Sequence, residues 1–395
     1  MTQVRTRLAH RVRQHDKHII TRMMDIASGL PDVIKLGRGD PDLDTPEHIV
    51  RAGQEALGSG ATHYTHPMGM PELRRAIADD IVRHGGARYA PEHIVVTPGG
   101  QQAMFIIALG LLDAGDEMLL ASPGYNPYIQ AAELTDARLV QIRMSLETNF
   151  TLTADMVREH VTPRSKVLVL INPANPTGTV IPPDEVARIC EVAVEHDLIV
   201  VSDEIYARLT YDGHRAQPVA VLPGMRDRTI TLSGVSKAYA MTGWRVGYFA
   251  GPADLMPALA EIHHGLAIST SAVGQHAALA ALTGPQDCVE EIRRTFDERR
   301  RVLCAGLDEL GIAYAKPQGA FYVYARVADV GIPATEFCER LLAEGRVMIF
   351  PGRIYGDHTD DFARLSLTQP VDGIREVLRR MSEVVVSIRT ERSDS

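Results

Sequence analysis

Short apolar runs recur through the middle of the chain, and most are followed by a stretch with helical spacing. Residues 94–97, 117–121, 138–143, 166–171, 198–203, 229–233 and 246–250 read as strands. Residues 101–112, 126–134 and 183–196 read as helices between them, the last with a clear amphipathic stripe. Apolar strands alternating with helices predict an α/β fold with a mostly parallel sheet covered on both faces. Beyond Gly284-Pro285 the texture changes. A long charged helix is expected from 288 to 310, then 321–325, a helix at 334–344, a short strand at 347–350, 363–367 and a final helix. That mixture predicts a second, smaller α+β domain. The expected division is a large domain over residues 49–285 and a small domain made from 1–48 with 286–395.

Composition narrows the class. The chain has 395 residues, 45% hydrophobic and 23% charged, which excludes wholesale disorder. A net charge of −9 argues against a nucleic-acid partner and against a polybasic membrane surface. The longest apolar stretch, 104–112, is far short of the roughly 20 residues that span a bilayer, so no membrane association is expected. Cys190, Cys288, Cys304 and Cys338 are scattered without a CxxC pair, which points to a reducing, cytoplasmic setting and to neither a disulfide framework nor a zinc site. His63 with His66, and His263 with His264, lack a nearby carboxylate cluster, so no metal is expected. Arg5, Arg7, Arg11, Arg13, Lys17 and Arg22 make the N-terminus basic, and we read it as an arm or helix of the mature protein. The run Arg299-Arg300-Arg301 follows Asp297 and Glu298 and reads as a solvated, ion-paired helix face.

Three segments place a reactive or polar group at a strand end, where open α/β sheets bind ligands. In Thr97-Pro98-Gly99-Gly100-Gln101-Gln102, a strand ends, two glycines turn the chain and a helix begins. Free N–H groups there suit a phosphate, or the glycines serve only the turn. The strand ending Ser202-Asp203-Glu204-Ile205-Tyr206 delivers Asp203 either as a partner for a cation or as a helix cap. In Ser233-Gly234-Val235-Ser236-Lys237, followed by Arg245, one lysine sits among small and apolar residues. Buried, it has a lowered pKa and suits Schiff-base chemistry; otherwise it is an ordinary exposed loop lysine.

Together with Leu36-Gly-Arg-Gly-Asp-Pro-Asp, His63-Tyr-Thr-His-Pro-Met-Gly, Pro123-Gly-Tyr-Asn-Pro-Tyr, Asn172-Pro-Ala-Asn-Pro-Thr-Gly and Ala363-Arg-Leu-Ser, these segments resemble the class I/II aminotransferases, pyridoxal-phosphate enzymes of fold type I. The resemblance runs from about Ile34 to Leu367 and implies a seven-stranded, mostly parallel sheet in the large domain. It implies a ping-pong transfer of an amino group between an L-amino acid and a 2-oxo acid, with pyridoxal 5'-phosphate as cofactor. A β-lyase or amino-acid oxidase on the same fold is the alternative. Lys237 is then the Schiff-base lysine and the proton carrier, and Asp203 the partner of the pyridine nitrogen. Tyr206 and Asn175 bond the ring's 3' oxygen, and Tyr125 stacks on the ring. Gly100, Gln101 and Gln102 offer N–H groups to the phosphate, with Arg245 and either Ser233 or Ser236. Tyr64 matches a tyrosine that reaches the phosphate of the neighbouring subunit, which implies a homodimer with shared sites. Arg364 matches the clamp for the substrate α-carboxylate, assisted by Gly39 and Asn175. Arg38, beside Gly39, either favours an acidic or polar substrate or is a solvent-facing or ion-paired arginine.

Overall fold

Each apolar segment of the middle region becomes a strand of one sheet in the computed structural model, which describes Ala9 and residues 19–394. The chain first passes through a two-residue strand β1 (Ile34–Lys35), then β2 (Ile94–Thr97), β3 (Glu117–Ser122), β4 (Arg138–Arg143), β5 (Ser165–Ile171), β6 (Ile199–Asp203), β7 (Thr229–Gly234) and β8 (Gly247–Ala250). Strands β2 to β8 form a seven-stranded sheet in the order β2-β8-β7-β6-β5-β3-β4. Strands β7, β6, β5, β3 and β4 are parallel neighbours, and β8 alone runs antiparallel to both β7 and β2.

The sheet is buried on both faces because its strands carry apolar side chains at consecutive positions. Val201, Ile230 and Leu232 pack with Ile106 and Ile107 of the helix Gly100–Leu111. Val200 and Leu168 point the other way, onto Val186 and Ile189 of the helix Pro183–Glu195. At the β2 edge, Ile94 and Val96 meet Ile77 of the helix Pro71–Arg83 and Ala277 of the helix Ala272–Thr283.

The remaining strands are β9 (Tyr322–Ala325), β10 (Val347–Met348), β11 (Phe350–Pro351) and β12 (Ala363–Ser366). An antiparallel sheet in the order β11-β12-β9 and the parallel pair β1–β10 lie against the helices Asp287–Leu310 and Val371–Ser393. Phe296, Phe321, Phe337, Leu303, Met381 and Val385 form the core there. The pairing of Ile34 with Val347 ties the early chain to its last third.

The basic run corrects one expectation. Arg300 and Arg301 do pair with Asp297, but Arg299 turns inward and donates to both oxygens of Asp42, at 2.6 and 3.0 Å, and to the Leu367 carbonyl. Three successive helix positions span most of a turn, so one of them had to face the core. Arg22 pairs with Glu339, and the other N-terminal cations named above lie outside the described residues. No helix among the described residues is long and apolar enough to cross a membrane.

Candidate active site

The sheet explains how residues far apart in sequence converge. Parallel strands end at a common edge. Tyr125 follows β3, Asn175 follows β5, Asp203 closes β6, Lys237 follows β7, and Gly100 follows β2. The reversed β8 contributes by its opposite end, so Arg245, two residues before it, reaches the same edge. These residues, with Gly39, Asp40, Gln101, Tyr206 and Ser236, line a cavity of about 380 Å³.

Lys237 Nζ donates to the Gly39 carbonyl at 2.6 Å and lies 5.7 Å from the centre of the Phe321 ring. Burial lowers its pKa from the ordinary 10.5 to about 8, with Asp40 pulling upward and Arg364 and Arg245 downward. Asp203 is 2% exposed. Burial pushes its carboxyl up to about 6, against the pull of the Ile205 N–H at 3.2 Å, the Tyr128 hydroxyl at 2.9 Å and the charge of Lys237. Burial also pushes the Tyr125 phenol up to about 12, keeping it a neutral ring on the cavity wall.

At the far end, Gly99 precedes the helix Gly100–Leu111 with φ 82°, a backbone state that glycine adopts without strain. A Cβ on Gly99 would lie 2.6 Å from the Arg245 guanidinium. Arg245 donates to the Thr242 carbonyl at 3.1 Å, leaving its charge beside the helix start. The first N–H groups of a helix have no internal acceptor, and here they face an arginine across a turn with no side chains: an anion site. Ser236 lines this cavity. Ser233 does not, and this removes it as a ligand candidate in the described fold. Strand alternation turns Leu232 toward the site and Ser233 to the opposite face, where its hydroxyl donates to the Glu204 carbonyl at 3.4 Å in a separate cavity of about 360 Å³.

Arg364 lies one contact behind the cavity wall. Its guanidinium donates to Asn175 Oδ1 at 3.0 Å and to the Gly37 carbonyl at 2.5 Å, and sits 4.4 Å from the Tyr322 ring centre and 5.0 Å from that of Tyr355. Its Nε is buried without a partner among the described residues. The carbonyl that holds Arg364 belongs to Gly37, while Gly39 lines the cavity and its carbonyl receives Lys237. Gln102 stands one position beyond the cavity wall, which Gly100 and Gln101 supply. Tyr64 is 78% exposed and lies outside the cavity of its own chain. Arg38 is exposed, makes no ion pair with the described residues and is not part of the wall.

Reasoning from sequence missed Tyr128, Tyr322 and Tyr355. Tyr128 closes the Pro123-Gly-Tyr-Asn-Pro-Tyr segment, where one helical turn from Tyr125 was the available signal. Tyr322 and Tyr355 carry no local signal, because only the folding of distant segments brings them to Arg364.

A buried carboxylate with no ion pair among the described residues, a lysine of lowered pKa between it and a helix N-terminus beside an arginine, and a buried arginine beyond stand in one row along the sheet edge. Residues 31–381 match the family Aminotransferase class I and II. The chain is 37% identical to an aspartate aminotransferase of Pyrococcus abyssi, covering 93% of this chain and 95% of that one. It is 35% identical to aromatic-amino-acid aminotransferase 2 of Thermococcus litoralis, over 96% and 98%. A double mutant of Thermus thermophilus aspartate aminotransferase superposes with a TM-score of 0.91, at 36% identity over 95% and 99% of the two chains. The chain belongs to the class I and II aminotransferases, enzymes of fold type I that use pyridoxal 5'-phosphate and move an amino group between an amino acid and a 2-oxo acid in a ping-pong cycle.

Proposed function

We propose that Lys237 moves the proton in this transamination, that Asp203, Tyr206, Asn175 and Tyr125 hold the cofactor ring, and that Arg364 grips the substrate α-carboxylate. The observation that carries the reading is the row along the sheet edge: Gly100, Arg245, Lys237, Asp203, Asn175 and Tyr125 follow the strand order β2-β8-β7-β6-β5-β3.

Pyridoxal phosphate, when bound, supplies an electron sink for the charge left at Cα when the amino acid loses its α-proton. Asp203 fits this because a buried carboxylate, costly alone, gains most from a cation at its open face. Lys237 Nζ would take the proton from Cα and deliver it to the cofactor carbon within the same half-reaction, and would carry a proton the opposite way in the second. A pKa of about 8 raises its neutral fraction at pH 7.5 roughly two-hundred-fold over that of an ordinary lysine. Backbone N–H groups at Gly100 and Gln101, the Ser236 hydroxyl and the Arg245 charge hold the phosphate. Arg364, fixed by Asn175 and Gly37, orients the carboxylate so that the Cα–H bond faces Lys237.

The working unit in this reading is a cytoplasmic homodimer. Tyr64 is a large side chain that its own chain leaves 78% exposed, which suits a reach into the other subunit's phosphate site. Four cysteines without a disulfide suit a reducing compartment. Visible spectroscopy tests the reading. The yellow band of the purified protein bleaches on adding an amino acid and returns on adding a 2-oxo acid; ammonia or peroxide release without recovery of the band refutes it.

A further inference from the structure

Arg364 and Tyr206 come from different parts of the fold, β12 and the loop after β6, and one unassigned side chain touches both. Tyr322 opens β9, where it pairs with Ser366, while Arg364 pairs with Tyr324. Tyr322 and Arg364 are therefore diagonal neighbours on one face of an antiparallel pair, within reach for an aromatic ring. The ring centre lies 4.4 Å from the guanidinium carbon. The hydroxyl lies 2.9 Å from the Tyr206 hydroxyl. It also abuts Gly39, where an added Cβ would come within 2.6 Å of it, and Gly39 is the residue whose carbonyl receives Lys237. Tyr322 is 1% exposed, so each of these contacts is dry. Ala320, at φ 56° with its carbonyl held by the Tyr211 hydroxyl, turns the chain just before it.

We propose that Tyr322 is a positioning residue of the transamination site: its ring is the floor that holds Arg364 in carboxylate-binding pose, and its hydroxyl aims the Tyr206 proton into the cavity. This rests on the roles given above to Arg364 and Tyr206. The ring acts electrostatically. A guanidinium with two of its three nitrogens bonded to Asn175 and Gly37 is kept flat by the π-face beneath it, and burial removes the competing water. The hydroxyl acts through its single proton. Each phenol has one proton. When Tyr206 gives its proton to an acceptor in the cavity, the 2.9 Å contact is satisfied only with Tyr322 as donor. Tyr322 thereby selects one hydroxyl rotamer of Tyr206.

The two roles separate in two variants of the cofactor-loaded protein. Tyr322→Phe keeps the floor and loses the hydroxyl. It raises the midpoint of the pH titration of the visible band, read without substrate, by about 0.5–1 pH unit, the worth of one neutral hydrogen bond. It leaves the affinity for two unreactive acids, succinate and 3-phenylpropionate, within about two-fold of the parent. Tyr322→Leu loses both, and weakens both acids roughly 5- to 30-fold, a loss that Phe at this position rescues. An unmoved midpoint in Tyr322→Phe, or equal acid affinities in the Leu and Phe variants, overturns the inference. Tyr206→Phe and Arg364→Leu run alongside. If they respond while both Tyr322 variants match the parent, only the role of Tyr322 is wrong. If they too leave both readouts unmoved, the assignment of Tyr206 and Arg364 is wrong and the inference falls with it.

Discussion

Removing the Tyr128 hydroxyl tests how the protein keeps Asp203 ionised. Asp203 stands at about 6 because burial raises it, while the Ile205 N–H, the Tyr128 hydroxyl and Lys237 oppose that rise. The Tyr128 contact is 2.9 Å long and fully buried. A hydrogen bond to a charged group is worth about 1.5–3 kcal/mol, which is about one to two pH units. Tyr128→Phe therefore moves the free carboxyl of the apoenzyme to roughly 7–8. The sign follows from the raised pKa: the charge that binds the cofactor ring is lost as pH falls through the pKa of the apoenzyme. The parent protein holds its cofactor affinity from pH 9 down to about 6, whereas the variant begins to lose it between about 8 and 7. The expected Kd ratio, variant over parent, is about one at pH 9, roughly 2- to 10-fold at pH 7, and about 10- to 100-fold at pH 5. The assay is titration of apoenzyme with pyridoxal phosphate across that pH range. A ratio that is the same at every pH refutes the reasoning, because a packing defect at Tyr128 would not follow proton occupancy.

Three further outcomes follow from particular contacts. Gly247→Ala puts a methyl group 2.4 Å from the Gly100 nitrogen and 2.6 Å from the Gly99 carbonyl carbon, both backbone, so the anion cradle must shift. It costs about 1–3 kcal/mol in urea unfolding and weakens cofactor binding, whereas Gly265→Ala, with open space on its helix, does neither. Asp42→Ala leaves the Arg299 guanidinium buried with only the Leu367 carbonyl. The partial exposure of Asp42 discounts the loss to about 2–4 kcal/mol in denaturant melts, and Arg299→Met in the same chain recovers half or more of it. Arg38→Ala lowers kcat/KM about 5- to 50-fold for aspartate and glutamate and leaves alanine unchanged, if Arg38 swings into the site to meet a second carboxylate; equal losses in steady-state kinetics refute that role.

Much of the sheet was legible because strands buried on both faces carry uninterrupted apolar runs, a pattern that survives without any tertiary contact. The helices Glu47–Gly58, Pro71–Arg83, Met256–Ala267 and Ala272–Thr283 were not assigned. Met256–Ala267 and Ala272–Thr283 are apolar or alanine-rich nearly all round and lack the sharp polar–apolar contrast of Pro183–Glu195, whereas Glu47–Gly58 carries that contrast and was legible in principle.

The sequence alone named the candidate groups. Lys237, Asp203, Asn175, Tyr125 and the Gly99-Gly100 turn each sit where a strand stops, and a strand end is a local event. It also carried the class of enzyme, through motifs spread along nearly its whole length. Only the tertiary structure decided the rest. Strand order set the sequence of groups along the edge, and the reversal of β8 brought Arg245 into line with them. The pleat put Ser233 on the far face, and the turn after β7 put Ser236 on the cavity wall. Burial turned Lys237 and Asp203 from ordinary ionisable groups into ones poised near neutrality. Long-range packing supplied Tyr128 to Asp203 and Tyr322 to Arg364. Side-chain direction, desolvation and contact between distant segments depend on the whole fold, so a linear reading names the chemical groups and the folded chain sets their states.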